Sequence, residues 1–125
     1  MANFSKATKG ASGSLLDHYE RREEIKFKNQ DIDKTRSCLN YNLAPNKNLS
    51  QREILNQRLS EVKVLKRDDI NIICSWVITL PKTIKKDSEE EKLFFKESYN
   101  FLKNKYGEKN IVSSYVHKDE VTPHM

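Results

Sequence analysis

Apolar residues along the chain recur at helical spacing in some stretches and run together in others. After Ser50, in QREILNQRLSEVKVL, Ile54, Leu55, Leu59, Val62 and Leu65 share one helical face. Glu53 stands three residues beyond Ser50, so the pair predicts a capping box opening an amphipathic helix. A second helix is predicted after Asp87 and Ser88. There Glu89, Glu90 and Glu91 put negative charge on the first turn, and Gly107 suits the position past the end. Leu93, Phe94, Tyr99, Phe101 and Leu102 would supply its buried side. An earlier helix is predicted from Leu15 to about Glu24, with Ser14 placed to accept from its first free N–H groups.

The strand signals are of a different kind. Ile70 to Leu80, INIICSWVITL, is β-branched and almost continuously apolar, and Pro81 stops it. It reads as a strand buried on both faces at the centre of a sheet. Asn110 to His117 reads as a second strand. The opening from Met1 to Ser14 is small and polar, with Gly10 and Gly13, and predicts a short edge strand running into a flexible turn. Residues 29–48, dense in Asn and Asp with Pro45, read as loop. The predicted class is α+β, with helices packed on a small antiparallel sheet, as one domain or a piece of one.

Charge gives this plan a direction. The formal net charge is +5, with 14 Lys and Arg against 8 Asp and Glu in residues 1–67, and 9 against 10 in residues 68–125. A basic first half suits a polyanion, because each cation placed on a phosphate releases counterions. Neither a secretory signal nor a membrane span is expected, since no apolar run approaches the necessary length. Cys38 and Cys74 match no metal or redox spacing, and Cys74 is expected to behave as a small hydrophobe, which suits a reduced, cytoplasmic setting.

The candidate chemistry gathers at the C-terminal end, where the second strand delivers HKDEVTPHM. His117 and His124 are separated by six residues that include Asp119, Glu120 and Pro123. Imidazole is a common ligand of divalent transition metals, and a strand end is a rigid place from which to present it. Exposed loop histidines are the bland alternative for such a pair.

HKDEVTPHM resembles the H-x-D-E-x-T-P-H-x-H motif of the Pre/MobV relaxases, members of the HUH endonuclease superfamily that nick plasmid transfer origins. Three earlier segments match in order. SGSLLDHYERREE is similar to the family's H-x-E-R helix, NQDIDKTRSCLNYNL to its N-x-D-I-D-x-x-R-x-x-L-N-Y-x-L segment, and CSWVITLP to its core strand. The resemblance implies a relaxase-like fold and a divalent metal, Mn²⁺ or Mg²⁺, held by three histidines. Of these, His117 and His124 would be two, and Glu120 an acidic partner or general base. The third would fall one position past Met125, which implies an incomplete sheet with an exposed edge, marginal stability, and weak activity or none for these residues alone.

The resemblance also implies a histidine nucleophile, His18, that becomes joined to the 5′ end of the cut strand, with Tyr19 as the rival because tyrosine serves most of the superfamily. The partner implied is plasmid transfer-origin DNA. Arg21, Arg36 and Arg67 are candidate phosphate or base contacts, while Arg22 reads as surface charge. Asn40 is a candidate DNA contact or a loop brace, and Tyr41 a base-stacking side chain or a core cap. A non-catalytic origin-DNA-binding module or repressor is the alternative function.

Overall fold

A computed structural model describes residues 1–21, 32–45 and 48–125. Strand β1 (Ala2–Thr8) lies antiparallel to β3 (Asn71–Ile78), with Ala2 opposite Ile78 and a register slip between Ala7 and Thr8. A second short ladder pairs β2 (Tyr41–Asn42) with β4 (Tyr115–Val116). The two ladders meet through the chain's last residues. Met125 exchanges backbone hydrogen bonds with Ile78, Leu80 N–H donates to Pro123, and His124 exchanges both of its bonds with His117. Residues 123–125 therefore run antiparallel between the end of β3 and the end of β4, making one small antiparallel layer.

Among the described residues three helices flank it: α1 (Lys9–Glu20), α2 (Gln51–Glu61) and α3 (Glu89–Tyr106). The flexible turn expected before Ser14 is instead the first turn and a half of α1, which follows β1 directly. Two glycines are tolerated there because packing sets the need for one of them. A Cβ on Gly13 would stand 3.2 Å from the guanidinium of Arg52, which lies across α1 to pair with Asp17. The helix closes sooner than the predicted end near Glu24, because Arg21 turns into the left-handed region directly after Glu20; Arg22 and the rest of the segment 22–31 lie outside the described residues. The capping box of α2 forms as expected, with both Ser50 and Glu53 bonded to each other's backbone. The helix stops at Glu61, however, because Val62 is extended, and Leu65 is left exposed.

Two burial expectations are corrected. In β3 only Ser75 is buried, while Asn71 and Cys74 are exposed, because the strand's partner along its length is β1 and its residues 72–77 line an open groove of about 440 Å³. In α3 the buried line is Glu91, Phe95 and Tyr99, at spacings of four. Leu93 and Phe101 lie about 160° and about 120° around the helix from Phe95, and both face solvent. The predicted strand from Asn110 shortens to Tyr115–Val116, preceded by a single 3-10 turn at Glu108–Asn110. The core joins Ala44, Leu80, Phe95, Tyr99, Val116 and Met125, with Tyr41 and Ile78 packed against it. It sits directly beneath the place where the two ladders meet.

Candidate active site

The C-terminal end of α1 docks against the joined strands, and this contact assembles the site. His117 is buried and lies 2.9 Å through Nε2 from the carbonyl of Tyr19, one of the last-turn carbonyls that a helix leaves without an internal partner. His124 makes the equivalent contact through Nδ1, 3.1 Å from the carbonyl of Thr122. A carbonyl only accepts, so these two ring nitrogens carry the protons. In neutral rings the remaining nitrogens, His117 Nδ1 and His124 Nε2, are both lone pairs, and they face each other at 3.3 Å. Burial pushes the His117 imidazole down to about 4, against the opposing pull of the Tyr19 carbonyl, so it is neutral near pH 7.

Two lone pairs in that geometry repel unless a cation lies between them. The separation is close to that of two neighbouring ligands on one divalent ion, which stand about 3 Å apart around an octahedral ion with bonds of about 2.1 Å. Each ring is also oriented by a backbone carbonyl on its far nitrogen, the usual arrangement for a ligating imidazole. Among the described residues no group of three or more His, Cys, Asp or Glu converges on one point. Glu120 comes nearest, with Oε1 4.0 Å from His124 Nε2.

His18 stands beside this pair, its ring centroid 6.4 Å from that of His117. Arg21 Nη1 approaches His18 Nε2 at 3.1 Å, and a guanidinium can only donate, so Nε2 carries a lone pair and the ring's proton is on Nδ1. Burial and then the Arg21 charge lower the pKa of His18, which keeps the ring neutral. Tyr19 is turned differently. Its hydroxyl is hydrogen-bonded to that of Ser75 on β3, and burial raises its pKa. Of the two adjacent candidates, the histidine thus has the free-base form and the tyrosine does not.

Arg21 and Asp119 organise the remainder. Arg21 ends α1 in the left-handed region, at φ 54° and ψ 46°. Its side chain is 6% exposed and spans His18, Asp119 and Glu120, the last at 2.6 Å. Asp119 is fully buried and accepts from Arg21, Ser37 and Asn40. Burial would raise its pKa, but these donors outweigh it and hold the carboxyl at about 2.

The other predicted residues are distributed around this cluster. Asn40 braces the motif loop from both ends, accepting from Lys118 N–H while donating to Asp119. Arg36 donates to the Lys118 carbonyl and reaches Asp87, leaving its side chain 40% exposed. Tyr41 packs on the core. Arg67 lies in the turn before β3, exposed and paired with Asp69, apart from the histidines. Sequence reasoning gave Asp119 no role, although it lies inside the motif. It also gave none to the buried ion pair of Lys118 with Glu91. Three glutamates in a row at the start of a helix give no sign that the third faces inwards.

Solved structures share this architecture. The MobM relaxase domain bound to plasmid pMV158 oriT DNA, in Mn-bound crystals at pH 6.8 and pH 4.6, superposes with TM-scores of 0.83 and 0.80 at 35% and 34% identity. All of this chain and 66% of each of those chains are covered. The fold is therefore that of a relaxase domain.

Residues 1–125 match the family model Mob_Pre, plasmid recombination enzyme, and the chain belongs to that family. Relatives include the plasmid recombination enzyme of Streptococcus agalactiae, 35% identical over 100% of this chain and 26% of its own length. The type 2 enzyme of Staphylococcus aureus strain Mu50 is 32% identical over 94% of this chain and 29% of its own. The chain thus spans between a quarter and a third of these relatives.

Proposed function

We propose that the protein nicks one strand of plasmid transfer-origin DNA by transesterification, with His18 as nucleophile and His117 and His124 holding Mn²⁺ or Mg²⁺. The observation that carries this reading is the approach of His117 Nδ1 to His124 Nε2 at 3.3 Å beside His18, whose Nε2 faces the Arg21 guanidinium. When bound, the metal supplies positive charge that polarises the scissile phosphate. The MobM domain, Mn-bound and bound to oriT DNA, supports the choice of ion and of nucleic acid.

The chain's own residues perform the rest. His18 attacks phosphorus through its lone pair, a P–N bond forms, and the bond to the departing 3′ oxygen breaks, leaving the 5′ phosphate on His18. Water protonates the departing oxygen, and Glu120 takes the proton released by the imidazole. Arg21 covers His18 Nε2 until a phosphate arrives. A phosphate accepts more strongly from a guanidinium than an imidazole does, so Arg21 transfers to it and uncovers the nitrogen.

Arg21 thereby acts inside the site rather than on its rim, and Asn40 acts as a brace. Arg36 and Arg67, both exposed in part, are the proposed DNA contacts, with Arg67 reaching backbone away from the cut. Tyr41 supports the core rather than stacking on a base. No helix among the described residues is long and apolar enough to cross a membrane. We place the activity in the cytoplasm because the proposed substrate is plasmid DNA.

The test incubates the protein with a single-stranded transfer-origin oligonucleotide and excess Mn²⁺, and looks for a denaturant-stable protein–DNA adduct. Adduct formation is expected, abolished by a chelator and by His18→Ala and retained in Tyr19→Phe. An adduct that survives His18→Ala contradicts the reading, and DNA binding without any adduct identifies a non-catalytic origin-binding module instead.

A further inference from the structure

Gln51 is the first residue of α2, and its side chain is buried with the residue 4% exposed. Its amide bridges two segments of the site. Nε2 donates to the Leu16 carbonyl of α1 at 3.0 Å, and Oε1 accepts from the Ser113 hydroxyl. Leu16 lies two residues before His18, and Ser113 four residues before His117.

Three residues further along α1, the Tyr19 carbonyl receives the His117 ring directly. Carbonyls three residues apart lie on nearly the same helix face, separated by about 4.5 Å along the axis. The helix carrying His18 is therefore tied to the segment carrying His117 at two heights, once through Gln51 and once through His117 itself. One tie leaves a helix free to tilt about it, whereas two fix both height and tilt. The neighbouring Arg52 adds lateral hold on the same helix through Asp17, and the Ser50–Glu53 capping box fixes the turn from which both side chains project.

A buried amide gains little stability over an apolar side chain of similar volume, because its hydrogen bonds mainly replace those it made to water. Its distinctive contribution at this point is geometric. Resting on the reading that His18 attacks beside a metal held by His117 and His124, we propose that Gln51 is a positioning residue that sets the distance between nucleophile and metal ligands by spanning Leu16 and Ser113.

The test compares the unmodified protein with Gln51→Leu and Ser113→Ala, each checked for a native circular dichroism spectrum. Ser113→Ala cuts one end of the bridge while leaving Gln51 packed, so it decides the matter if Gln51→Leu fails to fold. Two readouts are taken. The first is hydrogen exchange of His117 Nε2–H by ¹⁵N NMR, which reports the second tie whether or not DNA is cut; about tenfold faster exchange is expected in either variant. The second is the rate of adduct formation with saturating oligonucleotide, expected to fall about 100-fold while DNA affinity stays within about twofold.

Unchanged ring exchange in a folded variant overturns the inference. So does an adduct rate that falls only in step with DNA affinity. If the unmodified protein forms no adduct at all, the proposed function fails while the ring exchange still decides whether Gln51 holds the two segments together.

Discussion

Asp119 and Arg21 depend on each other because both are shut away from water, with side-chain exposures of 0% and 6%. Removing Asp119 leaves Arg21 to Glu120 and strips the acceptor from the Ser37 and Asn40 donors, so Asp119→Ala should lower unfolding stability by about 1–3 kcal/mol in urea titrations. Asn40→Ala removes a neutral donor to the same carboxylate together with an acceptor for Lys118 N–H, and should cost about 1–3 kcal/mol. A loss below about 0.5 kcal/mol for Asp119→Ala, the range of an ordinary surface substitution, would show that the cluster is not closed as described. At this scale the sequence marked the candidate site residues better than the groups that hold them. His18, Arg21, His117, His124 and Glu120 stand in recognisable motif positions, but nothing in the sequence says that Arg21 turns inwards onto Asp119 rather than outwards to a phosphate.

Helices α2 and α3 show what periodicity conveys and where it stops. Ser50 with Glu53 was legible because a capping box is a local device, complete within four residues. Ser50→Ala should cost about 1 kcal/mol. The hydrogen bonds from Ser50 lower the pKa of Glu53. Its contribution is therefore present above the unfolded value near 4.5 and is lost as pH falls through the lower folded value. Glu53→Gln should remove that acid dependence from the helical signal in circular dichroism.

The buried side of α3 was less legible, because Leu93, Phe94, Phe95 and Tyr99 spread around about two thirds of the helix and only contact with the sheet selects a face. Phe95→Ala should cost about 3–5 kcal/mol. Phe101→Lys, on the solvent side, should change stability by less than about 0.5 kcal/mol. Equal losses for the two would contradict the observed orientation. The burial of β3 was misread for a related reason. A continuous apolar run states that a strand could be covered on both faces, not that its neighbours along the chain suffice to cover it.

For the whole molecule, the decisive feature is that the two ladders are joined at the histidines themselves. His124 pairs with His117 through backbone bonds, while Pro123 and Met125 bind the end of β3. The same few residues complete the sheet and present the two imidazoles, so fold and site cannot be perturbed independently there. The α+β class followed from element types. The joining did not, because Pro123 and His124 lack the alternation that marks a strand. His18 reaches the pair through tertiary packing of α1, a relation that motif order suggests and only the fold expresses.

The central claim, attack by His18, is tested most directly by mapping the attachment point after reaction with Mn²⁺ and a transfer-origin oligonucleotide. The adduct is digested with protease and nuclease, and the nucleotide-bearing peptide is sequenced by mass spectrometry. A phosphorylated nucleoside on His18, released by mild acid as a P–N bond requires, is the expected result. Attachment to Tyr19 through an acid-stable phosphodiester would contradict the account.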